Sequence, residues 1–199
     1  FPLAEKETAH EELTRSGIYL LDCPVSGARP QAQSGELAML VSGDEDAFAR
    51  ATPALESFCC SVRHVGTYGE STKIKFVINL MISIHNMACA EAFLLARKAG
   101  LDLQQMSDAV MDSAAYSKIF ETRADKWISG DYDDPTAELA IQLKDKNIIR
   151  DFAEGLDCPT PMFDAAMPYY IAAGSQGRKK QDAASILAVL EAMAGIPRE

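Results

Sequence analysis

Lys75, Asn79, Ser83 and Asn86 are polar residues in an otherwise apolar stretch of the chain. At roughly 100° per residue, the turn of an α-helix, they fall at about 0°, 40°, 80° and 20°, with Thr72 at about 60°. The rest of residues 76–90 is mainly Phe, Val, Ile, Leu, Met and Ala. A narrow polar strip therefore runs down a greasy helix. It must face water, a cleft, or a partner that satisfies it. An ordinary solvent face would carry Glu, Lys and Arg, whereas Lys75 is the only ionisable member of this strip. A lysine at the apolar edge of a cleft is a candidate general acid–base, because burial draws an amine toward the roughly 7–8 range such a group needs. Asn79, one turn further on, can hydrogen-bond the same small molecule.

Two shorter segments could complete such a site. Asp22-Cys23-Pro24-Val25-Ser26-Gly27-Ala28 follows an apolar run read as a buried strand, and loops at strand carboxyl ends are where open α/β sheets bind ligands. Ser26 offers a hydroxyl there, and Gly27 lets backbone amides approach a carboxylate. The alternative is a plain turn ahead of the next strand. Gly66-Thr67-Tyr68-Gly69 permits a tight entry into the helix that carries Lys75, a place that can favour an anionic group; the plainer reading is an interdomain turn.

The elements that must position these residues change character near residue 69. Before it, Ala4 to Arg15 reads as helix stopped by Gly17, and Ile18 to Leu21 as a short buried strand. Val25 to Pro30 reads as loop, Leu37 to Val41 as a second strand and Val62 to Val65 as a third. Asp46 to Phe58 is helical in pattern, with Thr52-Pro53 fitting the start of a further short helix. This α/β segment is too short to close a complete doubly wound domain. After it nearly everything reads as helix. One long helix runs from about Glu70 to Lys98, and further helices fit 103–113, 117–128, 136–154, 161–173 and 182–194, punctuated by Gly130, Gly155, Gly174 and Gly177. The expected division is 1–69 and 70–199.

Composition narrows the function classes. The 199 residues hold 19 Lys and Arg against 29 Asp and Glu, a formal charge of −10. No net cationic field is available for a nucleic-acid backbone or an anionic membrane surface, so neither is expected as a partner. Apolar residues at 48% and charged residues at 24% describe a globular chain with a real core. The longest uncharged run, 76–90, falls short of the roughly 18 residues a membrane span needs. Residue 1 is Phe, which suggests a processed product or a fragment, and no signal peptide opens the chain. Five cysteines without metal-like spacing read as reduced thiols of a cytoplasmic or organelle-matrix protein. His10, His64 and His85 show no ligand spacing, so no metal is expected. Asp131, Asp133 and Asp134 read as a solvated turn, Arg178-Lys179-Lys180 as a solvated cluster, and Trp127 as core.

Four stretches together resemble the β-hydroxyacid dehydrogenase family, which includes 3-hydroxyisobutyrate, tartronate semialdehyde and 6-phosphogluconate dehydrogenases or reductases. Asp22 to Ala28 is similar to its D-x-P-V-S-G-G substrate loop. Gly66 to Gly69 with Lys75 and Asn79 is similar to its G-x-x-G…K-x-x-x-N motif. Leu143-Lys144-Asp145 resembles its L-K-D motif, and residues 91–100 resemble the stretch that follows the catalytic residues. The resemblance implies an α+β chain, the C-terminal remnant of a Rossmann α/β domain followed by an all-α domain with one long interdomain helix. It implies an oxidoreductase that moves hydride between NAD or NADP and a small hydroxyacid. Lys75 is then the general acid–base and Asn79 holds the substrate beside it. Ser26 and Gly27 bind its carboxylate, Lys144 lies near the nicotinamide, and Asp145 shapes the pocket. A homo-dimer or homo-tetramer is expected, because the apolar helix exceeds what one small bundle buries.

Three departures qualify the resemblance. The G-x-G-x-x-G fingerprint does not occur, so little NAD(P)H binding is expected of the isolated chain. Ala28 replaces the loop's last Gly, and Ala137 stands where many members have Phe. A non-catalytic association module is the competing reading, and an imine-reducing relative is a third, opposed by the lysine at the proton-donor position.

Overall fold

The computed structural model describes residues 2–27 and 29–196; Phe1 and Ala28, both singled out above, lie outside the described residues. The chain divides into two compact units, Phe1–Ile78 and Asn79–Glu199. This split falls inside the long helix.

The first unit begins with helix α1 (Leu3–Arg15), closed by Gly17 at φ +73°. Strands β1 (Val25–Ser26), β2 (Leu37–Val41) and β3 (Cys59–His64) form one sheet in that order. A short helix α2 (Arg29–Ser34) joins β1 to β2, where sequence reading expects only loop. β1 runs antiparallel to β2, with Val25 opposite Met39 and Ser26 opposite Ala38. β2 runs parallel to β3, with Met39 opposite Val62 and Val41 opposite His64. Parallel neighbours need a crossover, and helix α3 (Glu45–Leu55) supplies it. Asp44 caps α3 by accepting the Ala47 N–H at 2.7 Å. Pro53 does not start a new helix; it sits in the last turn of α3. Met39, Val41 and Cys59 form the core here, with Leu21, Leu37, Phe48, Leu55 and Val62 packed around them.

The expected strand at 18–21 does not form. Ile18 and Tyr19 are exposed, and regular pairing gives way to a single bridge between Asp22 and Ser42. An apolar, β-branched run becomes a strand only when a neighbouring strand takes up its N–H and C=O groups, and no described strand lies alongside this run.

Helix α4 (Glu70–Lys98) is continuous over 29 residues. By length and composition it would also suffice to cross a membrane, but its buried polar residues have protein partners, Ser71 and Thr72 inside the first unit and Asn86 inside the second, as a core helix requires. That unit adds α5 (Leu103–Met111), α6 (Lys118–Ser129), α7 (Leu139–Glu154), α8 (Pro161–Ser175) and α9 (Ile186–Met193). Single 3-10 turns at Arg178–Lys180 and Ala183–Ser185 lead into α9. Ser117 caps α6 through Phe120 N–H, and Gly130 ends it in the left-handed region at φ +74°. The core gathers Phe93, Phe120 and Trp127 with Leu139, Ile186 and Leu187, so Trp127 is a packing residue.

Candidate active site

The first unit holds Ser26, Gly27 and Lys75. Gly27 has φ +138°, and a Cβ there would lie 2.7 Å from Leu37 Cδ2, so the loop closes against β2 only with glycine. Ser26 is half-buried at the end of β1. The loop begins at Asp22, which is 2% exposed. Its Oδ1 takes the Lys6 ammonium at 2.7 Å. Its Oδ2 accepts the Ser71 hydroxyl at 2.8 Å and the Thr72 N–H at 3.1 Å. Ser42 Oγ accepts the Ser71 N–H at 3.1 Å. Two amides of the first turn of α4, which have no partner within the helix, are thereby satisfied by side chains from the Asp22 loop and the end of β2. Burial pushes the Asp22 carboxyl up, but the hydrogen bonds from Lys6, Thr72 and Ser71 outweigh it and hold the group below the usual carboxylate range.

The start of α4 does favour an anion, and the anion is the protein's own Asp22 carboxylate. Gly66 and Gly69 serve the entry turn: a Cβ at Gly66, φ +131°, would collide with the Glu70 carboxylate. Lys75 follows Thr72 by three residues on the same helical face and is half-buried. Burial and then the Asp22 charge raise the thiol pKa of neighbouring Cys23.

The second unit holds Asn79, Lys144 and Asp145, and brings them together. Asn79 Nδ2 donates to Asp145 Oδ2 at 3.4 Å. Lys144 Nζ lies 3.5 Å from Asp145 Oδ1, with its side chain 65% exposed. One carboxylate on α7 thus addresses both an amide on α4 and an ammonium that reaches solvent. Such an exposed cation is suited to contact with an anionic group.

The remainder of the polar strip has a different fate from a cleft lining. Ser83 and Asn86 are buried. Ser83 Oγ donates to Asn79 O at 2.7 Å, one turn back along the helix. Asn86 Nδ2 donates to Tyr170 Oη at 2.9 Å and to Ala183 O at 3.1 Å, and its Oδ1 accepts from Arg123 Nη1 at 2.8 Å. Arg123 Nε pairs with Asp182 Oδ1 at 3.3 Å, and Asp182 also accepts from Thr136 and Ala184. Beside this network Lys146 is 1% exposed, with its ammonium 3.9 Å from the Tyr170 ring centroid and 2.9 Å from Gln142 Oε1. Burial, reinforced by the Arg123 charge and opposed by Asp145, lowers its pKa to about 7.

Lys6, Ser42 and Ser71 carry no motif that would have marked them, and Asp22 stood only as the first letter of a loop. Among the described residues no group of three His, Cys, Asp or Glu could hold a metal ion. His10 instead stacks on Tyr68 with centroids 3.9 Å apart, and His64 Nε2 bonds Gly43 O at 2.9 Å.

Two family profiles match the chain, one on each side of residues 67–68. The family profile described as the NAD-binding of NADP-dependent 3-hydroxyisobutyrate dehydrogenase matches residues 69–190. The profile of the NAD binding domain of 6-phosphogluconate dehydrogenase matches residues 2–66. An L-threonate dehydrogenase of Escherichia coli is 32% identical over 187 residues, 94% of this chain and 62% of its own length. A 2-hydroxy-3-oxopropionate reductase of Escherichia coli is 29% identical over 193 residues, 97% of this chain and 65% of its own length. The crystal structure of 3-hydroxyisobutyrate dehydrogenase from Salmonella typhimurium superposes with a TM-score of 0.86 at 32% identity, covering 94% of this chain and 66% of that one. The chain thus spans just under two thirds of each of these relatives.

Proposed function

The chain belongs to the β-hydroxyacid dehydrogenase family, and from that premise we propose that it forms the proton-transfer and substrate-holding part of an oxidoreductase acting on a small hydroxyacid. NAD or NADP, when bound, supplies or accepts the hydride. In the oxidising direction Lys75 takes the substrate's hydroxyl proton as hydride leaves the carbinol carbon; in the reducing direction its ammonium returns that proton to the carbonyl oxygen. Asn79 holds the same oxygen, with its Nδ2 oriented by Asp145. Ser26 and the backbone beside Gly27 bind the carboxylate, Asp145 shapes the pocket, and Lys144 meets the nicotinamide end of the cofactor. The domain division proposed is a C-terminal Rossmann part over 1–69 and a helical part over 70–199.

The observation that carries this reading is a half-buried Lys75 four residues ahead of Asn79 on one unbroken helix, with the Asn79 amide already engaged by a carboxylate. Relatives named for L-threonate and 2-hydroxy-3-oxopropionate support short polyhydroxy acids and their semialdehydes as the substrate class. Val77, Met81 and Leu95 of α4 are 58%, 50% and 72% exposed, which supports a homo-oligomer that covers them.

The 199 residues alone are expected to bind little NAD(P)H, so the test joins this sequence to a G-x-G-x-x-G nucleotide-binding segment, supplies L-threonate or 3-hydroxyisobutyrate with NAD or NADP and 2-hydroxy-3-oxopropionate with NADH or NADPH, and follows the cofactor's absorbance. Turnover of at least one acid, lost in Lys75→Ala, is expected. A Lys75→Ala protein that turns over as well as the unmodified one would remove the lysine from the chemistry. Sedimentation at several concentrations tests the oligomer, and a monomer throughout would refute it.

A further inference from the structure

The Asp22 carboxylate is bonded to Lys6, Ser71 and Thr72 at once, and nothing in the proposed chemistry uses it. It is 2% exposed and joins three segments that are distant in sequence. Through Lys6 it reaches α1. Through its own backbone it starts the Ser26–Gly27 loop, and its N–H and C=O pair with Ser42 O and N at 2.9 Å each. Through Ser71 and Thr72 it holds the first turn of α4, with Lys6 Nζ also donating to Thr72 Oγ1 at 2.9 Å. Ser71 gives its proton to Asp22, so the Ser42 hydroxyl, 2.8 Å from Ser71 Oγ, donates into Ser71. Loop, strand end and helix start are therefore tied at one buried point, with Lys75 one turn beyond it.

We propose that Asp22 is a positioning residue: its buried carboxylate pins the first turn of the lysine-bearing helix to the head of the Ser26–Gly27 loop, fixing where the Lys75 amine stands relative to the substrate carboxylate. This rests on the acid–base reading of Lys75. A carboxylate suits the task better than a neutral cap because it accepts from two elements of opposite origin at once, an ammonium on Oδ1 and a helix N-terminus on Oδ2. Asn in its place keeps an acceptor for the Thr72 N–H and the Ser71 hydroxyl and is itself a good helix cap, whereas Ala keeps neither.

The test has two arms. Amide hydrogen exchange on the chain without substrate or cofactor compares Asp22→Ala, Asp22→Asn and Ser71→Ala with the unmodified protein. Exchange at 71–75 is expected to speed up by about tenfold in Asp22→Ala, the size a lost helix cap produces. It should be largely restored in Asp22→Asn, and Ser71→Ala, which removes one donor and serves if Asp22→Ala does not fold, should show a smaller rise over the same residues. Unchanged exchange at 71–75 in both Asp22→Ala and Ser71→Ala overturns the pinning. The second arm uses the protein joined to a G-x-G-x-x-G nucleotide-binding segment, with L-threonate, 3-hydroxyisobutyrate or 2-hydroxy-3-oxopropionate, whichever turns over. Asp22→Ala should lower kcat by about 10- to 100-fold, as misplacement of a reacting group does, with KM within about threefold and kcat recovered in Asp22→Asn. A lower melting temperature with kcat intact, or a raised KM with kcat intact, overturns the positioning role. If none of the three acids turns over, the acid–base reading fails, and the exchange arm still decides whether Asp22 pins α4.

Discussion

Asn79 on α4 gives one of its amide protons to Asp145 on α7 at 3.4 Å, so the amide is oriented before any substrate arrives. Preorganisation of this kind lets a hydrogen bond to the reacting oxygen form without a further ordering cost. Asn79→Ala is expected to lower kcat/KM by about 10- to 100-fold, the range for one hydrogen bond to a group that carries charge in the transition state. Asp145→Asn, which keeps an acceptor for Asn79, should cost less. Equal losses in the two variants would show that the Asp145 charge, rather than the orientation of Asn79, is what matters.

Lys75→Ala should reduce turnover by at least about 10²-fold, the usual contribution of a general acid–base. The loss belongs in kcat, because an amine that moves a proton acts in the transition state. Steady-state rates at saturating acid check this.

Lys146 predicts a pH dependence of stability. Its pKa is lowered to about 7 in the folded chain, by burial first and by Arg123 second, against an ordinary lysine value of 10.5. The unfolded chain therefore binds the extra proton between these values, and stability rises with pH across that window. Below pH 7 both states are protonated and the whole burial cost remains; above 10.5 both are neutral and it is gone. Lys146→Met should stabilise the protein at neutral pH by on the order of a few kcal/mol and flatten the rise. Urea midpoints from pH 6 to 9 measure both. A midpoint that does not rise with pH in the unmodified chain would show that Lys146 stays charged where it is.

Arg123 holds the core network of the second unit. It bonds Asn86 at 2.8 Å and pairs with the fully buried Asp182 at 3.3 Å. Arg123→Met would leave Asp182 buried and charged without its cation, at a cost of about 3–5 kcal/mol. Thermal melts should show a fall of many degrees. Adding Asp182→Asn to this variant should recover part of it.

The long elements could be read from the sequence and the polar contacts could not. The α4 boundaries follow from Gly69 and Gly100, and β2 follows from five apolar residues closed by Ser42-Gly43, because those signals are local. Ile18 to Leu21 has the same local signal as β2 but no strand to pair with among the described residues. The strip of Thr72, Asn79, Ser83 and Asn86 was visible as a strip, but what satisfies it was not, since Arg123 and Tyr170 lie 37 and 84 positions from Asn86. Lys146 carries no sequence signal that marks it; its burial and the Tyr170 ring over its amine come from tertiary packing. Lys75 and Asn79 stand out on the helical strip and Lys144 and Asp145 through the motif, whereas the Asn79–Asp145–Lys144 contact is made only by the fold.

The carboxylate that closes the start of α4 lies fifty positions upstream of the amide it accepts. A nascent α4 therefore cannot seal its own first turn. It must wait until the Asp22 loop has docked, so sealing of this helix end reports on assembly of the sheet. A peptide covering 70–98 alone should fray at its beginning, and in the refolding chain protection at Thr72 should appear together with pairing of β2 and β3 rather than with the rest of the helix.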